Sequence, residues 1–362
     1  MSIKASPRKH LWVWFLWLAV FYSTWLLLLQ AEGAWEAAKG HWPMALAMAI
    51  GSYAAGSTPM GGGTVGFPVL VLLFDMPATL GRDFSFAVQS IGMVSASIFI
   101  LARRQPLAWA MLKGAVVGAL IGAPIGIIFF APLVPDLWIK VVFAVLWGSF
   151  GVLHLYRIGE IAGHVGMTEF DEQWDHRVGF MLGLVASLLA VSVTGVGIDM
   201  VIYAALVLLC RADLKIAIPT SVVIMAFTSV YGVAIKTLTN SWQPGVYENW
   251  LAAAPVVALG APLGVFIVER IGRKPILMVV AALCVGQFIW TCFAEQDALG
   301  VWGIALSLAA LGLCLMVFEK LRSWGGILVA EAQRKNDQRR APPEAAPEPF
   351  INPDEPAVTK ST

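Results

Sequence analysis

The chain has 362 residues, of which 59% are hydrophobic and 13% charged, and its formal net charge is +1. A soluble domain carries roughly 25% charged residues, so this composition points to lipid as the solvent for most of the chain. The near-zero balance leaves no basic field of the kind nucleic acid requires, and the partner expected instead is membrane lipid.

An apolar run of about 20 residues crosses the hydrocarbon core. Lys4, Arg8 and Lys9 precede such a run at Leu11–Leu29. A cleaved signal peptide has an apolar region of about 7–15 residues, so this longer run predicts a retained first membrane helix, with residues 1–42 forming that helix and an outer loop. Further spans are predicted at Phe84–Ala102, Trp109–Phe130, Leu137–Tyr156, Ile216–Leu238, Trp250–Glu269, Ile276–Phe293 and Leu299–Phe318. Two runs, Pro43–Phe74 and Val178–Cys210, are too long for one span and too short for two. Each is broken in the middle, by Gly56-Ser-Thr-Pro-Met-Gly-Gly-Gly-Thr64 and by Ser192-Val-Thr-Gly-Val-Gly-Ile-Asp199. Irregular backbone survives at membrane depth only inside protein or along a cavity, so each run predicts a helical hairpin with its tip inside the membrane.

Loop charge sets the orientation. With a cytoplasmic N-terminus, the crossings put Arg8-Lys9, Arg103-Arg104, Arg211 with Lys215, Arg270, Arg273 and Lys274, and Lys320 with Arg322 all on the cytoplasmic side. Both termini are then cytoplasmic in a multi-pass protein of a bacterial inner membrane. The acidic stretch Glu169–Asp175 reads as solvated loop. Residues 320–362, proline-rich and charged towards their end, read as a disordered cytoplasmic tail.

The two halves align without gaps across the hairpins at an offset of 135 residues, which pairs Ser57 with Ser192, Gly62 with Gly197, Leu73 with Leu208 and Ser85 with Thr220. Further on, Gly122-Ala-Pro-Ile-Gly126 matches Gly260-Ala-Pro-Leu-Gly264. The expected fold is therefore an all-α polytopic membrane protein of two inverted repeats, residues 43–156 and 178–319, joined by a cytoplasmic loop at 157–177. Each repeat is a broken hairpin plus three transmembrane helices, and one extra helix precedes them.

Inverted repeats with broken helices at the midplane mark secondary transporters. A half-helix starting at Gly62–Thr64 or Gly197–Asp199 aims orphan N–H groups and a positive dipole end at the cavity, which binds anions without a buried cation. The glycines Gly61, Gly62, Gly63, Gly195 and Gly197 let a ligand approach the backbone, and Ser57, Thr58, Thr64, Ser192 and Thr194 offer hydroxyls. The competing explanation is close helix packing through small residues.

This glycine-rich hairpin in two halves, with Gly-Ala-Pro-x-Gly recurring in each, resembles the TauE/SafE sulfite-exporter family from about Trp42 to Phe318. The resemblance implies transport of sulfite or a small organosulfonate across the cytoplasmic membrane, usually outward. Ser85, Gln89 and Ser90 on one helix, and Thr220, Ser221, Thr228 and Ser229 on the other, are nominated to complete the substrate shell.

Asp199, matched by Thr64 in the first half, is a carboxylate at membrane depth and therefore a functional candidate. It either caps the half-helix that starts there or carries a coupling proton. Arg82 and Lys236 could attract anions, although snorkelling to the interface accounts for both. His10, His41, His154, His164 and His176 are assigned no ligand role. Cys210, Cys284, Cys292 and Cys314 sit in apolar runs as packing residues, and no spacing suggests a metal or another cofactor. No nucleophile–base or metal motif supports an enzyme. An importer of the same anions and an anion channel remain as alternatives, and small residues such as Gly312 could serve a homodimer.

Overall fold

The protein is described here by a computed structural model covering residues 10–168 and 170–340. Among these residues the secondary structure is entirely helical: α1 (Leu11–Ala31), α2 (Trp35–Gly40), α3 (Trp42–Ser57), α4 (Gly63–Pro68), α5 (Ala78–Ala102), α6 (Trp109–Ile125), α7 (Asp136–Ile161), α8 (Glu172–Ala186), α9 (Ser192–Thr194), α10 (Ile198–Leu208), α11 (Leu214–Leu238), α12 (Val246–Ile271), α13 (Arg273–Ala294) and α14 (Gln296–Arg340). All eight predicted full spans are present as helices, with ends that differ by a few residues, because the apolar pattern fixes the crossing but not the turn on which a helix stops. Four of them, α11 to α14, follow the second hairpin, one more than the three expected in each repeat.

Both long apolar runs are broken hairpins. In the first, α3 ends at Ser57, residues 58–62 turn, and α4 continues through a π-helical turn to Leu73. In the second, α8 passes through a π-helical turn and α9 to Thr194, residues 195–197 turn, and α10 returns. The returning arms, Gly63–Leu73 and Ile198–Leu208, are 11 residues each, about 16 Å at 1.5 Å per residue and half a bilayer core. The arm Glu172–Thr194, at 23 residues, is long enough to cross on its own.

Each hairpin packs on a helix of the opposite half. On α6, a Cβ at Gly114, Gly118 or Gly122 would overlap the carbonyl oxygen of His176, Phe180 or Leu184 on α8. Gly179 and Gly183 of α8 press back on the Met111 and Ala115 carbonyls in the same way. The other pair is α3 with α12, where Gly56 abuts the Ala261 carbonyl and Gly260 abuts Ser52. The correspondence extends to single residues. Gly126 meets Leu188 and Ser192, while Gly264 meets Tyr53 and Ser57, each 135 positions earlier in the chain. Lipid supplies no hydrophobic force between helices, so backbone-to-backbone contact of this kind is what holds them.

Several expectations need revision. The tail predicted at 320–362 is helical as far as Arg340, as the continuation of α14. Ion pairs fix it: Arg322 Nε lies 2.8 Å from Glu319, Arg322 Nη1 lies 3.3 Å from Glu160, and Arg157 Nε lies 2.9 Å from Glu319. Gly325 rests on the backbone of Leu208 and Leu209. The rest of the predicted tail, the basic Lys4, Arg8 and Lys9, and Glu169 lie outside the described residues. The acidic stretch is only partly loop, since Glu172 begins α8 and Asp175 is buried in its first turn. The loop before α3 contains the short helix α2. His154, given no ligand role, is buried in the core rather than placed near a span end or in a loop; its ring nitrogens meet the Phe150 carbonyl at 2.9 Å and the Tyr203 hydroxyl at 3.0 Å.

Candidate anion site at the hairpin tips

The two hairpin tips meet, and the contact is electrostatic. The Gly61 N–H of the first tip donates to Asp199 Oδ2 at 2.7 Å. Asp199 Oδ1 accepts from Gly197 N–H at 3.2 Å and from Met200 N–H at 2.9 Å in the second tip. Asp199 is fully buried. One carboxylate thus caps the start of α10 and joins the halves.

The second tip depends on glycine for its conformation. Gly195 and Gly197 have φ of +77° and +113°, values that side chains rarely adopt. The first tip instead needs glycine for closeness. A Cβ on Gly61 would overlap the Gln89 side-chain amide, and one on Gly63 would crowd Ser85 and Gln89. Gly62 differs from both, with φ of −57° and only the flexible Met48 side chain near its Cβ position. At the start of α4 the N–H groups of Gly62 and Gly63 have no intrahelical acceptor, as at any helix N-terminus.

Of the α5 nominees, Ser85 and Gln89 reach the tips. Ser85 lies against Gly63 and Gly195. Gln89 Nε2 donates to the Ser85 carbonyl at 3.1 Å and makes a long contact of 3.5 Å with the Gly195 carbonyl, while its Oε1 is buried without a partner. The Ser85 hydroxyl nevertheless donates to the Gly81 carbonyl at 2.8 Å, and Ser90 donates to the Ala87 carbonyl at 2.7 Å. Three of the four α11 nominees are occupied elsewhere. Thr220 Oγ1 accepts from Ala108 N–H at 3.0 Å and donates to Ile216, Ser221 donates to Ile218, and Thr228 donates to its own helix. Ser229 is buried without a partner.

The tip hydroxyls are also occupied, contrary to their expected role as free donors. Ser57 and Thr58 donate to the Tyr53 and Ala54 carbonyls, and Ser192 and Thr194 to those of Leu188 and Ala190. A helical hydroxyl finds the carbonyl four residues back before it finds anything else. Thr64 Oγ1 alone among the tip hydroxyls is buried with no partner. The donors on offer to an anion are therefore backbone N–H groups with the Thr64 hydroxyl beside them; the atom of Gln89 left without a partner is its acceptor, Oε1.

The tips are packed shut. Beside Gly62 and Gln89 there is a void of about 10 Å³, scarcely one water. Two larger cavities of about 480 Å³ lie towards opposite ends of α11 and α12. One is lined by Gln105, Lys215, Arg273 and Lys274, the other by Ser90, Trp242, Gln243, Glu248 and Trp250. The tip contact stands between these two elevations.

Sequence reasoning missed Asp83. It is fully buried and accepts from Arg82 Nε at 2.9 Å, from Lys236 Nζ at 2.8 Å and from Gln243 N–H at 3.1 Å. Snorkelling is thereby set aside for both cations. Arg82 and Lys236 are only 6% and 3% exposed, whereas a snorkelled side chain shows its head to the interface. The available signal was three charges in otherwise apolar helices.

Paired broken hairpins joined at their tips, inside a bundle of membrane-length helices, define an architecture of the secondary-transporter class. Residues 44–290 match the family model described as Sulfite exporter TauE/SafE. The chain belongs to that family, whose members are membrane transporters rather than enzymes. No curated protein and no solved structure matches the chain.

Proposed function

We propose that the protein is a secondary carrier that exports a small oxyanion, sulfite or a small organosulfonate, across a bacterial cytoplasmic membrane, and that the anion binds between the hairpin tips. The observation that carries this reading is the Asp199 carboxylate. Its two oxygens are held by N–H groups from both halves, so the tips hold anionic oxygen in this conformation. A sulfite or sulfonate presents the same kind of acceptor, and charge-assisted bonds of this type are the stronger ones.

Substrate competes with Asp199 for the Gly61 N–H and draws on the orphan donors of Gly62 and Gly63 as the tips part. A proton on Asp199 removes the competing charge, which makes this residue the coupling candidate. The remaining shell comes from the Thr64 hydroxyl, and from the Gln89 amide and Ser85 hydroxyl as they leave the Gly195 and Gly81 carbonyls when the tips part, with Gly195 and Gly197 shaping the second tip. The two inverted repeats supply one tip each, and alternating access opens the contact first towards one large cavity and then the other. A packed contact between two cavities favours a carrier over an open channel. The distribution of the basic clusters supports cytoplasmic termini by the positive-inside rule.

The test is thermal unfolding of the purified protein with sulfite, sulfate, methanesulfonate, taurine, isethionate, sulfoacetate, acetate and phosphate. A ligand stabilises by RT ln(1 + [L]/Kd), so even millimolar binders register at tens of millimolar. Selective stabilisation by sulfite or a sulfonate is expected. A folded sample that responds to none of these anions overturns the reading.

A further inference from the structure

The cluster around Asp83 has an imbalance that its hydrogen bonds leave in place. Two cations, Arg82 and Lys236, share one carboxylate, and all three groups are at least nine-tenths buried. A buried net charge is costly unless something neutralises it. Lys236 has two oxygen partners, Asp83 Oδ2 at 2.8 Å and the Ser241 carbonyl at 2.7 Å. Arg82 uses only Nε among the bonds of the described residues, and its two terminal nitrogens bond to no group there. The carboxylate at the start of α5, Asp136, caps the Ala78 and Thr79 N–H groups and forms no ion pair with Arg82 among the described residues.

The position of Arg82 matters as much as its charge. It lies three residues before Ser85 and seven before Gln89, which places all three on one face of α5. Its backbone carbonyl abuts Gly195 at the second tip. On the far side of the cluster, Gln243 joins Asp83 to one of the large cavities. Glu248 also lines that cavity, so its wall does not attract anions by itself.

The charged cluster occurs at one end only. The positions equivalent to Arg82, Asp83 and Lys236 in the other half are Ala217, Ile218 and Leu101. Ala217 and Ile218 are buried, whereas Leu101 is 44% exposed, so the buried cation at 236 has no buried counterpart at the other end.

We propose that the Arg82 guanidinium is a second oxyanion position, which receives the transported anion between the hairpin tips and the cavity at Gln243. The inference rests on the anion-carrier reading. An oxyanion bound there neutralises the surplus charge and meets the fork of donors for which guanidinium is suited. On the orientation read from loop charge, this end faces outward, so the position serves release.

The test compares purified full-length wild type with Arg82→Gln and Arg82→Lys by thermal unfolding, in gluconate buffer with increasing sulfite or methanesulfonate. Arg82→Gln leaves a balanced Asp83–Lys236 pair. Its unfolding temperature without added anion is therefore expected to equal or exceed that of wild type, while its apparent Kd for the anion rises about tenfold or more. Arg82→Lys keeps the charge and is expected to stay within about threefold of wild type, losing only the fork. An equal anion response in wild type and Arg82→Gln overturns the Arg82 position and leaves the tip site standing. A lower unfolding temperature for Arg82→Gln with an undiminished anion response assigns Arg82 a structural role and overturns the proposal. No anion response in wild type overturns both readings.

Discussion

The Gly61 N–H donates to Asp199 Oδ2 across 2.7 Å and 138 positions of sequence, and this bond is the point at which the two hairpins meet. Removing the carboxylate leaves buried N–H groups at Gly61, Gly197 and Met200 without their acceptor. Asp199→Ala is therefore expected to destabilise the protein by about 3 kcal/mol, since bonds to charged groups are worth roughly 1.5–3 kcal/mol and orphaned donors add to the loss. Asp199→Asn keeps the shape and one good acceptor and should lose about half as much. Thermal unfolding in the absence of anions measures both. If Asp199 carries the coupling proton, reconstituted Asp199→Asn should also lose the response of transport to an imposed pH gradient.

The glycines at the tips should not behave alike. Gly195 and Gly197 combine positive φ with close neighbours, so Gly195→Ala is expected to abolish transport and lower stability by about 2 kcal/mol or more. Gly62→Ala meets only the end of Met48 and should keep both fold and activity. Leucine at Gly62 is too large for the adjoining void of about 10 Å³, and leucine at Gly197 meets Ala190 and Trp147 from a positive-φ position; both should stop transport while insertion proceeds. Uptake and counterflow in proteoliposomes separate these cases from loss of expression.

Gln89 offers a change of charge with almost no change of shape. Its Oε1 and Asp199 Oδ2 converge on the same side of Gly61. Gln89→Glu would set a second carboxylate beside the first where the substrate anion must bind, and like charges close together in low dielectric are strongly unfavourable. At least a tenfold rise in the apparent Kd for anions is expected at neutral pH. Titration of the purified variant reads it directly, and unchanged affinity would remove Gln89 from the site.

Asp83→Asn tests the buried cluster from the other direction. It leaves Arg82 and Lys236 with no counter-charge, and stranding a buried ion costs roughly 3–5 kcal/mol. The variant should be among the least stable single substitutions in the bundle. High concentrations of a small oxyanion should restore part of the loss in thermal unfolding, whereas a large impermeant anion should not.

Different parts of this description were open to sequence reasoning to different degrees. Composition and run length were enough for an all-helical membrane protein, and the interrupted runs at Gly56–Thr64 and Ser192–Asp199 marked both tips, because glycine bunched with Ser and Thr in the middle of an overlong apolar run breaks the helix there. The roles of the hydroxyls were not legible. Whether Ser57 or Thr194 donates to a ligand or to its own helix is decided by one rotamer, and sequence does not record rotamers. Asp199 stood out as a carboxylate at membrane depth, but its partners Gly61, Gly197 and Met200 could not be read from sequence, because one of them lies 138 positions away. Asp83 was hidden because its neighbour Arg82 reads as a mouth charge, and its second partner Lys236 lies 153 positions away. The helical end of α14 was missed because its charges read as solvated tail, whereas Arg322 and Glu319 are tied to Glu160 and Arg157.

The glycine contacts between α6 and α8 and between α3 and α12 also dictate an order of assembly. The surface that receives α3 belongs to α12, and Gly264, which meets Ser57, is synthesised about 200 residues after it. At roughly 5–20 residues per second, the first hairpin waits some tens of seconds for its seat. Through that interval its tip holds backbone donors that lipid cannot satisfy, and its Gly61 N–H has no Asp199 to meet. Biogenesis of this protein therefore includes a stage at which the insertion machinery must shelter a half-built molecule, and substitutions along Gly56, Gly260 and Gly264 should first reveal themselves as chains that are degraded rather than carriers that are slow.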